Sequence, residues 1–529
     1  MTNELKISQN HITGKKLNKT LINGEVFQQL QDDNLLFISQ ETKTAAKLYE
    51  ENGKKDSKYA KDLWKELLID AICILKLNDN REKLYKNTKD IFVDEKTGKK
   101  KENGNKIFKN NLTKIRKMST YGIDEISTYF DDFIEYESVL YGIGEYYRDH
   151  VHHVLSVWAI GVSLIVGSQP IGLEFSEGFN LSKQDFHFLI DDDSDNLISM
   201  SELWSMWTII SLCHDLGYPL EKTSEINKKV KKIVNHFGCL NFNELNFKFD
   251  LFNGYIVEKF LNIVASKTVR GKEEEEEEKE EEEEEKKKKK KKEIHKTEVQ
   301  QKYHYKISKS LEEYKHGMFS GLLVFKKLTY FLETDYSPDN HSLSSEDLRQ
   351  FYIRKEILRA ICGHTCPKIY HLKLRTLSFL LIICDELQVW GRPRFNALMS
   401  GDHTEEKEVT LKEYKKPSTD SSVEGAKIHI EFKYKIAMNK RTDRKDEDER
   451  TEMLEKHLVK SNYDTIRCLL RSAKDDSCRK INFQWDIIFE DVKYSYIFDS
   501  AKDSYNMVDT PCISTETEGD PEKFEFSIY

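Results

Sequence analysis

Residues 211–219 read Ser211-Leu212-Cys213-His214-Asp215-Leu216-Gly217-Tyr218-Pro219, an apolar run that ends in an adjacent histidine and aspartate. Ahead of the pair, Trp207, Ile210 and Ser211 lead to His214 at helical spacing, so this histidine continues a buried helix face. A buried imidazole and carboxylate are costly to desolvate unless a partner such as a divalent cation neutralises them. Taken alone, such a dipeptide is more typical of a capped helix end with an ordinary core histidine, so the rest of the chain decides between the two interpretations.

Composition indicates a globular protein with more than one domain. The chain has 529 residues, of which 38% are hydrophobic and 33% are charged. Its net charge of −9 gives no overall basic excess of the kind that normally accompanies non-specific nucleic-acid binding, although local basic patches stay open. The longest apolar stretch, residues 154–167, is too short to span a bilayer, and the N-terminus does not resemble a signal peptide, so we expect a cytoplasmic protein. Nine cysteines without a C-x-x-C pair indicate neither a zinc-thiolate cage nor a disulfide framework.

The pattern of apolar residues changes along the chain. Residues 56–77 repeat apolar side chains at helical spacing and predict an amphipathic helix. Long blocks of glutamate and then lysine between residues 273 and 292 cannot bury a core, which predicts a mobile insertion or a solvated helix. Apolar and polar residues alternate at 428–436 and again at 481–489, which predicts two half-buried strands, and residues 447–471 between them predict a helix.

A second histidine lies on an apolar face before the His-Asp pair. The sequence Arg148-Asp149-His150-Val151-His152-His153 opens a helix in which His153 shares a face with Val157 and Ile160. This spacing makes His153 the inward-facing histidine of the three. His150, one turn earlier on the same side, is the reserve candidate, and His152 lies on a neighbouring flank.

Three more polar residues lie on apolar faces later in the chain. Helical periodicity resumes at Leu311, and His316 aligns there with Phe319. His364 is the last inward residue of a helix that carries isoleucines at matching spacing. Asp385 ends the most apolar helix in the chain, where a lone carboxylate is poorly tolerated without a cation.

The combined order of these residues is the main indication of function. The set is His153, His214, Asp215, His316, His364 and Asp385. This order resembles the HD superfamily of metal-dependent phosphohydrolases, in which a helix-borne histidine precedes a His-Asp pair and a distant aspartate. Residues 153–161 are similar to the first motif of that family, and residues 213–217 are similar to the second. The resemblance covers roughly residues 140–392.

The two remaining histidines are similar to ligands of two-metal members of the family. Residues 316–323 and 361–364 resemble the extra ligand motifs of HD-GYP cyclic-dinucleotide phosphodiesterases and of CRISPR-associated HD nucleases. The sequence departs from the HD-GYP pattern, because Gly217-Tyr218-Pro219 occurs without the later signature of that group.

This resemblance implies a set of roles for the six residues. Asp215 would bridge two divalent ions, and His214 and Asp215 would form the catalytic pair. One ion would be held by His153, His214 and Asp385, and the other by His316 and His364. Mixed imidazole and carboxylate ligands suit Mn, Fe, Ni or Mg. Two such ions can activate a water and neutralise phosphate oxygens.

The expected function is therefore metal-dependent hydrolysis of a phosphoester in a nucleotide or cyclic nucleotide, which makes the protein an enzyme of the phosphohydrolase or phosphodiesterase class. Two alternatives stay open. In the first, the chain is an HD-type nuclease acting on single-stranded nucleic acid. In the second, it is a degenerate HD domain that serves as a sensor or scaffold. A small-molecule nucleotide is the expected partner, nucleic acid is the partner under the nuclease alternative, and no membrane partner is expected.

The predicted fold class is mostly α, with an all-helical HD-type domain followed by a C-terminal α+β domain. Residues 1–120 form a helical N-terminal region in this prediction. Residues 121–392 form the HD-type domain, with the low-complexity insertion at about 265–300. Residues 393–529 form the C-terminal domain, which the resemblance does not explain.

Overall fold

The fold is known from a computed structural model of the chain. The residues that it describes are 2–8, 38–52, 57–79, 115–117, 119–141, 150–166, 200–237, 251–273, 292–332, 345–366, 377–387, 403–414, 427–438, 480–489, 492–499, 504–507 and 512–513. The predicted helix at residues 447–471 and the interior of the glutamate-lysine tract lie outside these residues.

Helices make up most of the described chain, as the sequence predicts. They are α1 (Gln40–Asn52), α2 (Ser57–Asp79), α3 (Ile123–Tyr141), α4 (His150–Val166), α5 (Met200–Cys213), α6 (Tyr218–Asn235), α7 (Leu251–Ala265), α8 (Gln301–Glu312), α9 (His316–Lys327), α10 (Thr329–Leu332), α11 (Ser345–Gly363) and α12 (Leu377–Leu387). The amphipathic pattern at 56–77 corresponds to α2, and that prediction is confirmed.

Helix α5 is the central helix of the bundle. Its residues 202–213 are all buried, so the helix has no solvated face there, and α2, α4 and α11 pack around it. Trp204 and Trp207 are both buried core residues. Tryptophan side chains also join the neighbouring helices, because Trp64 donates to the Leu212 carbonyl at 2.8 Å and Trp207 donates to the Trp158 carbonyl at 2.9 Å. The end of α5 is therefore held rigidly where the His-Asp pair begins.

A tight turn connects α5 to α6. Gly217 is the N-cap residue of α6, and Pro219 occupies the start of the helix, where its missing N–H costs nothing. The Gly217 N–H donates to the Ser320 hydroxyl at 2.7 Å, which attaches the turn to α9. A Cβ atom at Gly217 would lie only 2.2 Å from the His316 carbonyl oxygen, so this close approach requires glycine.

Helices α8 and α9 are separate, although the periodicity predicts helix from Leu311 onward. Tyr314 adopts a left-handed backbone with φ of 58° and ends α8, and the Lys315 N–H bonds back to the Ser310 carbonyl at 3.1 Å. The break makes His316 the first residue of α9. Helical spacing alone does not reveal the break, since the apolar residues on both sides keep the same period.

A buried ion pair joins α5 to α11 at the end of α5 that is remote from the His-Asp pair. Glu202 and Arg349 are in contact there, and their side chains are about 1% and 9% exposed. Glu202 precedes His214 by twelve residues, or about 18 Å along a helix axis. The pair is thus part of the packing of the bundle and lies away from the six predicted site residues.

The strands form two sheets. They are β1 (Thr2–Ser8), β2 (Ser266–Glu273), β3 (Lys292–Val299), β4 (His403–Tyr414), β5 (Lys427–Met438), β6 (Lys480–Phe489), β7 (Val492–Asp499), β8 (Ser504–Met507) and β9 (Cys512–Ile513). The larger sheet has the order β1-β4-β5-β6-β7-β8, and β9 also pairs with β7. Both strands predicted from alternation are present as β5 and β6, which run parallel with Ile428 opposite Ile481.

Strand β1 lies in the region that the sequence predicts as helical. It pairs antiparallel with β4, from Thr2 opposite Tyr414 to Ser8 opposite Glu408. The first residues of the chain thus share a sheet with strands that begin 400 residues later. The domain boundaries at residues 120 and 392 stay predictions.

The ends of the glutamate-lysine tract form the second sheet. Strands β2 and β3 pair antiparallel, with Glu273 opposite Lys292. The two ends of the predicted insertion at about 265–300 therefore pair with each other as antiparallel strands.

No helix in the described part of the chain combines the length and the apolar character needed to cross a membrane.

Candidate metal centre

The six residues predicted as metal ligands lie together in the helical part of the fold. His153 is in the first turn of α4, His214 and Asp215 follow α5, His316 begins α9, His364 follows α11, and Asp385 lies near the end of α12. Each is at or near a helix terminus, and five helices thus contribute to one centre. His153, His214, Asp215 and His364 are buried, whereas the side chains of His316 and Asp385 are 20% and 16% exposed.

The carboxylate of Asp215 lies between two groups of histidines. Its Oδ2 atom is 3.4 Å from His153 Nε2 and 3.3 Å from His214 Nε2. Its Oδ1 atom is 3.2 Å from His316 Nε2 and 3.6 Å from His364 Nε2. One oxygen therefore faces each group, which is the arrangement that a bridging carboxylate requires.

The first group consists of His153, His214 and Asp385. His153 Nε2 is 3.3 Å from His214 Nε2 and 3.2 Å from Asp385 Oδ1. Ligands held about 2.0–2.2 Å from one ion lie about 3.0–3.5 Å from each other, so these separations match a shared ion. These three residues could hold a metal ion.

The second group lies on the other side of Asp215. His316 Nε2 and His364 Nε2 are 3.2 Å apart. His214, Asp215 and His364 also lie close enough together to hold an ion. The two groups thus share Asp215, and His214 lies at their boundary.

Backbone carbonyl groups orient two of the histidines. His214 Nδ1 is 2.8 Å from the Ser211 carbonyl oxygen, and His364 Nδ1 is 2.6 Å from the Ile361 carbonyl oxygen. Since a carbonyl can only accept, each Nδ1 carries a hydrogen, and each Nε2 is left to bind either a second proton or a metal ion. These Nε2 atoms face the Asp215 carboxylate, and the arrangement is favourable only with positive charge between them. The donor set therefore fits a divalent cation.

Glu221 orients the third histidine and was not predicted from the sequence. It lies in the first turn of α6, and its Oε2 atom accepts from His316 Nδ1 at 2.6 Å and from the His316 backbone N–H at 2.9 Å. One carboxylate thus fixes the ring and caps the N-terminus of α9. The only sequence signal was an acidic residue six positions after Asp215.

The carboxylates make the centre attractive to positive charge. Burial alone would raise the pKa of Asp215, but the charge of His214 and hydrogen bonds from three histidines hold that pKa well below its usual value. Burial would likewise raise the pKa of Glu221, yet its contacts with His316 lower it to about 2. The carboxyl groups of Asp215 and Glu221 are therefore both ionised at neutral pH. Asp215 needs this charge to bind a metal ion, and Glu221 needs it to accept the hydrogen bond from His316.

The imidazoles of His316 and His364 have opposite pKa shifts. Burial opposes protonation of His316, but hydrogen bonds to Asp215 and Glu221 raise its pKa to about 9. Burial and the charges of His214 and His316 lower the pKa of His364 despite its hydrogen bond to Asp215. The position between the two carboxylates thus favours positive charge, whether a proton on His316 or a bound cation.

Gly317 allows the second group to form. A Cβ atom on this residue would lie 2.6 Å from the Ile361 carbonyl oxygen, 2.7 Å from Thr365 Oγ1 and 2.9 Å from His364 Cε1. The Gly317 N–H also donates to Thr365 Oγ1 at 3.1 Å. The start of α9 therefore packs directly on the end of α11, and this contact brings His316 and His364 together.

The other two histidines of α4 lie outside the six-residue set. His150 is buried, with its ring centroid 4.2 Å from that of Tyr218 and 6.5 Å from that of His153. His152 lies on the neighbouring flank, where its Nδ1 atom is 2.9 Å from the Tyr49 hydroxyl. The inward direction predicted for His153 agrees with these positions.

Comparison with known proteins adds no further assignment. No family model matches the chain, and neither a curated protein nor a solved structure was found to be similar to it.

Replacing Glu221 by glutamine is expected to weaken metal binding at the second group by about 10–100-fold, a typical effect of losing the partner of a metal-bound histidine. The first group should keep its affinity, because Glu221 contacts only His316 among the six residues by the hydrogen bonds described above. Calorimetric titration with Mn²⁺ should therefore resolve one unchanged and one weakened binding step. Glu312→Gln, which changes an exposed acid on α8, is the matched control. Equal affinities in the Glu221 variant and the wild type would contradict the role assigned to Glu221.

Proposed function

We propose that the protein is a two-metal phosphohydrolase of the HD type, which hydrolyses a phosphoester of a nucleotide or a related substrate. The observation that carries this proposal is the Asp215 carboxylate, which turns one oxygen toward each of two histidine groups. The donor set favours Mn, Fe, Ni or Mg. When bound, two such ions would lower the pKa of a water nucleophile and neutralise charge on phosphate oxygens.

The residues of the chain have separate tasks in this proposal. Asp215 would bind both ions, His153, His214 and Asp385 would bind the first, and His316 and His364 would bind the second. The carbonyl groups of Ser211 and Ile361 keep two imidazoles in the required tautomer. Rigid orientation matters because ligands that need no rearrangement lower the reorganisation cost of catalysis.

The exposed side of the centre indicates where a substrate enters. His316 and Asp385 are the two partly exposed members of the set, one from each histidine group. Tyr218 is partly exposed as well, and its ring centroid is 5.8 Å from that of His316. A phosphate approaching past these side chains would meet both groups at once. The buried remainder of the centre would exclude bulk water, which strengthens electrostatic interactions.

Membership of the HD superfamily is part of the proposal. Its support is the order of the six residues, their convergence and the helical surroundings. The convergence also favours an enzyme over a degenerate scaffold, since no position of the expected ligand set is missing. Placement of the protein in the cytoplasm remains an expectation from the sequence.

Metal analysis and phosphoester assays test the proposal together. Purified protein incubated with Mn²⁺ and desalted should retain two ions per chain, and it should hydrolyse bis-p-nitrophenyl phosphate or a member of a nucleotide panel. Chelation should abolish hydrolysis and lower the melting temperature by about 5–10 °C, because ligand at 100 times its Kd stabilises the folded state by about 2.7 kcal/mol. A chain that binds no metal and hydrolyses no phosphoester would refute the proposed function.

A further inference from the structure

The outer half of α6 is a strongly basic segment in an acidic protein. Residues 226–237 contain four lysines and no aspartate or glutamate, whereas the whole chain has a net charge of −9. All four side chains are exposed: Lys228, Lys229, Lys231 and Lys232. A local reversal of charge on this scale attracts polyanions to one place on the surface.

Apolar side chains lie among these lysines. Ile233 on α6 and Phe237, two residues after its end, are 60% and 63% exposed, while Val230 and Val234 on α6 are partly buried. An exposed aromatic ring beside several lysines is the combination that binds single-stranded nucleic acid, because the ring stacks on an unpaired base while the lysines contact phosphates.

The same helix begins at the candidate metal centre. Its first turn carries Glu221, which bonds to His316, and it follows Asp215 after a short turn. From Gly217, the lysines at 228 and 232 lie about 16 Å and 22 Å along the helix axis. At the 3.4 Å spacing of a stacked strand, this distance corresponds to about five to seven nucleotides. A mononucleotide in the centre would not reach the lysines, but a short strand would.

We propose that the outer half of α6 binds a single strand of nucleic acid and guides it to the metal centre, so that the substrate is a polynucleotide. This inference rests on the proposed phosphohydrolase function for the cleavage step, whereas strand binding itself needs no metal. Cleavage adds one water across a phosphodiester bond, which leaves a phosphomonoester on one fragment and a hydroxyl group on the other. No oxidant or further reactant is required.

The charge of the basic segment favours a nucleic-acid strand over a neutral protein as its partner. The lysines occupy a wide arc of α6 rather than one edge, so they can follow a flexible phosphate backbone. Phe237, near the outer end of the basic segment, can stack on a base only if that base is unpaired, which favours a single strand over a duplex.

The test measures strand binding separately from hydrolysis. Fluorescence anisotropy in chelator buffer would compare a labelled dT20 oligonucleotide with a labelled mononucleotide for three full-length proteins. The first is the wild type, and the second carries Lys228→Gln, Lys229→Gln, Lys231→Gln and Lys232→Gln. The third is a charge-matched control with Lys43→Gln, Lys47→Gln, Lys302→Gln and Lys326→Gln, all at exposed positions on other helices. Exposed substitutions of this kind cost little stability.

We expect the wild type and the control to bind dT20 with the same affinity and salt dependence. In the α6 variant, the negative slope of log K against log salt concentration should become shallower by about three. The reason is that each neutralised phosphate contributes about 0.7 to this slope for a single strand. Phe237→Ala should weaken dT20 binding by about tenfold without changing the salt slope. With Mn²⁺ present, the α6 variant should lose its preference for long oligonucleotides but keep hydrolysis of bis-p-nitrophenyl phosphate.

Several results would overturn the inference. One is unchanged dT20 binding in the α6 variant, and another is an equal loss in the charge-matched control. Binding of the wild type to phosphatidylserine vesicles but not to dT20 would assign the surface to a membrane, and lysine-dependent dimerisation without dT20 binding would assign it to a second copy of the chain. If dT20 binds through the lysines but no phosphoester is hydrolysed, the proposed function fails while the binding surface stands.

Discussion

Asp215→Asn is expected to remove both metal ions and to reduce phosphoester hydrolysis by at least about a thousandfold. The Asp215 carboxylate faces both histidine groups, with Oδ2 toward His153 and Oδ1 toward His316, so it would be shared by both ions of the proposed centre. An amide offers one neutral oxygen and a nitrogen that cannot ligate, so the second group keeps no carboxylate of the six residues and the first group keeps only that of Asp385. Loss of metal-assisted charge stabilisation of several kcal/mol corresponds to this factor in rate. Elemental analysis and initial rates under saturating Mn²⁺ provide the measurement.

Two further variants separate this effect from general damage. Asp131→Asn makes the same chemical change at an exposed residue of α3 and should leave metal content and rate unchanged. His364→Ala should remove only the second ion. Circular dichroism should show that all three proteins keep their helical content. An Asp215→Asn protein that retains two ions would show that Asp215 does not bridge them.

Glu202→Ala is expected to lower the free energy of unfolding by about 3–5 kcal/mol, because it leaves Arg349 charged in the core without its carboxylate. Arg349 Nε already lacks a hydrogen-bond partner among the described residues, so the guanidinium has little to compensate the loss. Urea denaturation followed by tryptophan fluorescence provides the measurement. The metal content should be unchanged when the variant is folded, because His214 lies about 18 Å farther along α5.

The control for this prediction is an ion pair on the surface. Glu125 is 63% exposed and pairs with Lys327 at 2.9 Å, so Glu125→Ala should change the stability by less than about 1 kcal/mol. Replacing both members of the buried pair, as Glu202→Leu with Arg349→Met, should restore much of the lost stability, since an apolar pair needs no desolvation of charge. Equal effects of Glu202→Ala and Glu125→Ala would contradict a structural role for the buried pair.

Much of the helical part could be predicted because its period is visible in the sequence. The isoleucines before His364 recur at helical spacing, and α11 covers them. The apolar run before Asp385 corresponds to α12. Spacing also placed His153 on an inward face, and the structure puts it 3.3 Å from His214, although His150 one turn earlier is equally buried. Local periodicity thus predicts which side chains face the interior.

Contacts between distant segments could not be predicted in this way. The partner of Glu221 is 95 positions away in the sequence, and no local pattern relates the two residues. The direction of each Asp215 oxygen depends on how five helices meet. Strand β1 has few apolar residues, so its own composition does not predict a strand. It is a strand because it pairs with β4. Asp385 was expected on a buried face, yet its side chain is partly exposed, since it lies near a helix end.

The pairing of β1 with β4 has a consequence for synthesis of the protein. Thr2 is synthesised about 400 residues before its partner Tyr414. At 5–20 residues per second, the first strand waits about 20–80 s for its neighbour. During this interval the helical bundle can be completed, while β1 presents an unpaired edge that other extended chains can bind. A chaperone that shields β1 during this interval would therefore increase the yield of folded protein.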